Sequence, residues 1–356
     1  MKWQYHLPVL MLAATLAACG SSPDSAGTIG SLSKRKLEVE SRGAPTVERE
    51  EVIESYKAVL ETQPRGELYQ ESLRRLADLN LSASQNAPGV ATAGNDNRSK
   101  AQLNTAIGQY EHFLKKYPNS PNTEKIFYQL AKAYESAGQP AKALTTLDLL
   151  VQRYPNTASI DEVHFRRGET MFALGRFGDA ARAYDTIVRK YPSSVYHERA
   201  LYKYAWSEFK QGRHLDSLHA FFRILDDKLA TDAAGKNLSR AEQEMLGDAL
   251  RVVSLAFTYL HKEITPTAYF QRYGKRPYEP LIYENLGNLY LKKERIRDAA
   301  DTYLAFTARH PDSVRSPEFH ENAIKAYEAG GFASLIVPAK ESFVRNYGID
   351  SRFWKT

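Results

Sequence analysis

The sequence predicts an all-α protein in which helical hairpins stack in series as a solenoid. Three observations carry that prediction. Prolines recur as Pro118, Pro155 and Pro192, spaced 37 residues apart, in the phrases FLKKYPNS, LVQRYPNT and IVRKYPSS. Glycines recur as Gly138, Gly175 and Gly212, again 37 apart, in ESAGQPAKA, FALGRFGDA and FKQGRHLDS. Between these marks the apolar residues follow a helical period, so each unit reads as helix, turn, helix, stop. The composition is globular, with 43% hydrophobic and 25% charged residues, which excludes a wholly disordered or collagen-like chain.

The first segment is a leader. Lys2 gives a short positive region, and Leu7 to Leu16 is mainly apolar but too short to span a bilayer. It ends in Leu16-Ala17-Ala18-Cys19, and Cys19 is the single cysteine of the chain. This resembles a bacterial lipoprotein signal, which implies cleavage before Cys19 and acylation of its thiol and of the new α-amino group. Several acyl chains anchor firmly, since each buried CH₂ contributes about 0.8 kcal/mol. Gly20 and Ser21 follow the cysteine. By the same resemblance, the absence of Asp after it implies sorting to the outer membrane. Residues 20–46 are rich in Ser, Gly and Pro and read as a tether, with a reach on the order of 28 Å if flexible. Its Lys34-Arg35-Lys36 cluster reads as a solvated linker charge.

The helical units come next. Residues 47–64 read as a lone second helix with Tyr56 and Pro64 in register. Leu73, Leu76 and Ala77 mark a first helix, with Ala106, Tyr110 and Pro118 on its partner; the polar stretch between them is expected to be a loop insertion, about 85–99. Val163 to Leu174 and Asp179 to Lys190 are the two helices of the clearest unit. Small residues recur on first helices (Ala131, Gly168, Ala205) and on second helices (Ala143, Ala180, Ser217), with Leu147, Tyr184 and Phe221 as the large residues opposite. Residues 226–280 form a divergent pair, Ser239 to Leu260 being long and Ala268 to Tyr273 short. Residues 281–313 restore the pattern with Leu286-Gly287, Tyr290, Ala299, Tyr303 and Pro311, although Glu294 replaces the turn glycine. A last pair lies around Gly330-Gly331 in 317–347. Either the tail NYGIDSRFWKT folds back to cap the last pair, or the chain is the N-terminal part of a longer array.

These units resemble tetratricopeptide repeats over roughly 47–347, most strongly over 106–225 and 281–313. The third unit departs from the pattern: Glu208 stands where tyrosine is expected and the terminal proline is missing. The resemblance implies a right-handed superhelix. Together with the leader, it implies a tetratricopeptide lipoprotein of the Gram-negative envelope, similar to the barrel-assembly lipoprotein and to the division coordinator that works with the Tol-Pal system.

No catalytic constellation emerges. The chain has no HExxH, GxSxG or GxxxxGK[ST] motif, and Ser31 to Lys34 mimics SxxK only within the tether. One cysteine excludes an internal disulfide and any zinc site with two thiolates. The nine histidines are scattered, and His214 and His219 are five apart. The net charge of +6 is spread along the chain, unlike a nucleic-acid face. The mixed run Tyr269 to Tyr278 reads as a turn between helical pairs. No enzyme activity, cofactor, metal, nucleic acid or small-molecule substrate is expected.

A partner site is expected on the first helices. Superimposed repeats place Tyr128, Phe165 and Tyr202 at one position, with Lys132 and Trp206 one turn on, Phe172 and Phe209 beyond, and Arg199 at a further groove position. Rigid aromatics beside cations bury area at low entropic cost. The leading expectation is a lipid-anchored periplasmic scaffold that binds an envelope protein or peptide segment in this groove. The alternatives are a factor for outer-membrane β-barrel assembly, or a non-catalytic N-terminal part of a larger envelope protein or enzyme.

Overall fold

The computed structural model describes residues 48–62, 66–85, 93–229, 238–260 and 263–355, with the side chains of 93–96 excepted. The leader, Cys19 and the tether lie outside the described residues. The chain divides into two compact units, residues 1–52 and 53–356. Of the first, only 48–52 are described, and they open helix α1 (Arg49–Glu61).

In the second unit, helices pair in chain order. They are α2 (Glu67–Gln85) with α3 (Ala93–Lys116), α4 (Thr123–Ser136) with α5 (Pro140–Arg153), α6 (Ile160–Ala173) with α7 (Phe177–Lys190), and α8 (His197–Lys210) with α9 (His214–Leu229). The long α10 (Arg240–Leu260) and short α11 (Pro266–Tyr273) follow. Then come α12 (Glu279–Lys292) with α13 (Ile296–Arg309) and α14 (Ser316–Ala329) with α15 (Ala333–Tyr347). From α2 to α10 and again from α12 to α15 each helix packs on the next, and α12 packs on α10 past the short α11. The core therefore runs as a strip through successive hairpins, from Leu73 to Ala339. No described helix is long and apolar enough to cross a membrane.

The 37-residue punctuation has a direct backbone cause. Gly138, Gly175, Gly212 and Gly331 adopt φ of +66°, +73°, +76° and +70° at the hairpin turns. Each turn closes with a six-to-one bond from the residue after the left-handed position, such as Gln139 N to Tyr134 O and Arg176 N to Met171 O, at 2.8–3.0 Å. This satisfies carbonyls that a helix end leaves without partners. The α12–α13 turn builds the same bond, Arg295 N to Tyr290 O at 2.9 Å, around Glu294 at φ +58°. A Cβ in that region costs roughly 1–2 kcal/mol.

Two expectations are corrected. The insertion after α2 is not a loop to residue 99, because α3 already begins at Ala93. Its buried stripe Leu103, Ala106, Ile107, Tyr110 and Phe113 anchors the helix. Outward propagation then adds one hydrogen bond per residue fixed, and no proline stops it. The run Tyr269 to Tyr278 is core as much as connection: Tyr269, Phe270 and Tyr278 are buried, and Tyr269 stacks on Phe222 at 4.6 Å.

The divergent α10 starts with a reciprocal cap. Ser239 N donates to Glu242 Oε2 at 2.9 Å while Glu242 N donates to Ser239 Oγ. Lys228 of α9 reaches the same carboxylate at 2.7 Å and, with the cap, holds its pKa down at about 2. At the other end, residues 352–355 form a 3-10 turn that folds back. Trp354 Nε1 donates to Tyr347 O at 2.9 Å, and Phe353 meets the Tyr347 ring edge-on.

Candidate functional site

Neighbouring first helices are joined by carboxylate-centred bridges. Between α4 and α6, the Tyr128 hydroxyl donates to Glu162, and Arg166 pairs with Glu162 at 3.0 Å and with Glu135 at 2.9 Å. Burial, and then the bond to Glu162, pushes the Tyr128 hydroxyl up to about 12. Between α6 and α8, Lys203 pairs with Glu169 at 3.0 Å, and Glu169 also accepts from Tyr184 of α7 at 2.5 Å. Between α8 and α10, Asp248 Oδ2 accepts from both Tyr202 Oη (2.5 Å) and Trp206 Nε1 (3.1 Å), while Arg251 holds its other oxygen. Burial, then the bond to Asp248, pushes Tyr202 up to about 12. Charge-assisted bonds of this kind are stronger than neutral ones and fix the spacing of the helices they join.

Between α4, α6 and α8 opens a groove of about 550 Å³, lined by Glu135, Phe165, Arg166, Glu169, Tyr196 and Arg199. Phe165 is buried beneath it, stacked on Tyr196 with ring centres 5.1 Å apart. The exposed Arg199 guanidinium lies over the Phe165 ring at 4.6 Å. The geometry offers a flat cation, paired acid–base side chains and an aromatic floor.

The eight residues expected here fall into four places. Phe165 and Arg199 meet in the groove, but Phe165 supports the face from below, as its 5% exposure requires. Tyr128 and Lys132 sit together on α4, half-buried, with the ammonium 5.7 Å from the ring. Phe172 packs against Phe177 and under Lys203. Tyr202, Trp206 and Phe209 form a separate cluster: two are bonded to Asp248, and Phe209 packs against Trp206, His214 and Tyr259. Glu162 and Arg166 were missed, although the 37-residue register carries them: Glu162 stands between Lys125 and Arg199, and Arg166 between Gln129 and Lys203. The same spacing places Glu169 on this wall, between Lys132 and Trp206, but not among the expected partner-binding residues. Asp248 had no such signal, because α10 has left the register. Among the described residues, no cluster of His, Cys, Asp or Glu could hold a metal.

The described residues form consecutive helical hairpins punctuated every 37 residues over α4 to α9, as the resemblance to tetratricopeptide repeats implies. Over residues 85–206, about a third of its length, the chain matches the family model described as YfiO, outer membrane lipoprotein. Among solved structures, it is similar to a tetratricopeptide repeat protein from Parabacteroides merdae, with 18% identity, 78% of this chain and 92% of that one covered, and a TM-score of 0.41. It is also similar to the C-terminal part of a repeat-containing protein from Cytophaga hutchinsonii, with 12% identity, 78% and 90% covered, and a TM-score of 0.42. Among curated proteins, none matches the chain.

Proposed function

We propose that this protein is a lipid-anchored, non-catalytic scaffold of a bacterial envelope that holds a segment of a partner protein along the first-helix face from α4 to α10. The observation that carries this reading is the groove over α4, α6 and α8, where repeat helices present a cation and aromatic edges side by side. Such a surface gains area and orientation from rigid rings and forked donors. The match of 85–206 to an outer membrane lipoprotein family supports an envelope address. The leader ending at Cys19 supports an anchor in the outer membrane facing the periplasm, with 20–46 as the spacer.

Photo-cross-linkers placed in cells at positions 132, 172 and 199 should capture the same partner. Exposed positions 182 and 189 on α7 should not. Equal capture from both faces would remove the groove from the proposal. Cys19→Ser should release the protein from membranes with its helical circular dichroism unchanged; retention on membranes would remove the anchor.

A further inference from the structure

The first-helix face has an asymmetry in how its charges are used. Glu135 and Glu162 share Arg166, Glu169 holds Lys203, and Asp248 is bonded by Tyr202, Trp206 and Arg251. The carboxylates of these bridges are thus all occupied. Arg199, in contrast, has no hydrogen bond or ion pair among the described residues. Its contacts are the Phe165 ring at 4.6 Å and the Tyr196 ring at 5.8 Å.

That placement matters chemically. A guanidinium is weakly hydrated on its faces and donates through its edges. Here one face is covered by an aromatic ring, which is itself clamped against Tyr196, and the edge donors have no acceptor. The side chain is exposed at the groove lined by Phe165 and Tyr196. Stacking restrains the side chain before any ligand arrives, so less entropy is lost on pairing. The complement to a flat, edge-open guanidinium is a carboxylate, held by two parallel hydrogen bonds.

We propose that Arg199 anchors an aspartate or glutamate side chain within the bound segment, so that the groove selects an acidic stretch of its partner. The inference rests on the groove reading above and sharpens it. An internal side chain is chosen over a chain end because the first-helix face continues on both sides of α8, to α6 and to α10. An occupant lying along it has chain to either side of Arg199. Lys132, which has no carboxylate bonded to it, adds a second attraction on the α4 side.

The test uses the full chain carrying Cys19→Ser and short blocked fluorescent peptides. One has two central glutamates flanked by apolar residues, one has glutamines in their place, and a third is the glutamine peptide with a free C-terminal carboxylate. Binding is read by anisotropy and by the Arg199 Nε–H resonance. The glutamate peptide is expected to move that resonance and to bind about tenfold more tightly than the glutamine peptide. Arg199→Gln should abolish the preference, and Arg199→Lys should restore only part of it. Absence of any shift with the glutamate peptide, equal binding of the glutamate and glutamine peptides, a preference that survives Arg199→Gln, or a response to the free chain end alone would overturn the proposal. Repeating the cross-linking from position 172 in the Arg199→Gln background separates the two readings. Capture that persists while the peptide preference is absent leaves the groove standing without its acid anchor.

Discussion

The hairpins α4–α5 and α6–α7 solve the same close approach with different residues. In the first, Leu147 of α5 stands at the position facing Ala131 of α4; in the second, Tyr184 of α7 packs against Gly168 of α6. The residue after the small one explains the choice. Glu169 accepts the Tyr184 hydroxyl, whereas Lys132 has nothing to accept with. The rule extends along the array. Tyr303 bonds Asn288 beside Gly287, Tyr110 bonds Asp78 beside Ala77, and Phe221 follows Trp206 beside Ala205. A buried hydroxyl costs free energy without a partner, so tyrosine occurs where the neighbouring position can accept its hydrogen bond. The comparison teaches that one repeat position is read jointly with another, fifteen residues away in the regular hairpins and thirty-two in α2–α3.

The largest effect should come from removing the space. A Cβ at Gly287 would overlap the buried ring of Tyr303. Gly287→Ala should cost about 2–3 kcal/mol in denaturant unfolding, and adding Tyr303→Leu should recover much of it, as Leu147 opposite Ala131 suggests. Additive losses would break the comparison. Next, Glu169→Ala orphans the Tyr184 hydroxyl and should cost about 1–3 kcal/mol. Combining it with Tyr184→Phe should be milder than the first change alone, read by the same titration.

The turns give a smaller, mirrored pair. Glu294→Gly should stabilise by about 1 kcal/mol, since Glu294 carries a Cβ at φ +58°. Gly175→Ala, at φ +73°, should destabilise by a similar amount. Thermal melts of the two variants should move in opposite directions.

The last effect vanishes near neutrality. Burial, then Arg167, lowers the His164 pKa from 6.5 to about 4. The unfolded chain therefore binds this proton first as pH falls, so stability declines between about 6.5 and 4 and is unaffected above that window. His164→Leu should flatten that part of the stability–pH curve. An unchanged slope would mean that His164 does not set it.

The helical hairpins, their turns and their order were legible in the sequence because each mark acts locally. A glycine sets the left-handed residue, a proline stops the second helix, and small residues mark the contacts. The α3 boundary was not legible, since polar residues 93–99 join a helix whose anchor lies after them. The candidate site was legible only in part. Arg199 and Phe165 shared a face by spacing, but their stacking and the buried state of Phe165 depend on Tyr196 and Tyr184. Spacing put Tyr202 and Trp206 on the expected face with Tyr128, and only α10 supplied Asp248 as their partner.

What the sequence determined by itself is the repeating unit and its succession, because backbone sterics and helical periodicity act within a few residues. Only the tertiary structure decided which charges are engaged and which aromatic rings are covered. Those outcomes turn on partners 30 to 50 residues away, such as Asp248 at 46 residues from Tyr202. Contact at that range is set by how neighbouring hairpins pack, and α10, having left the 37-residue register, shows that spacing alone does not foretell it.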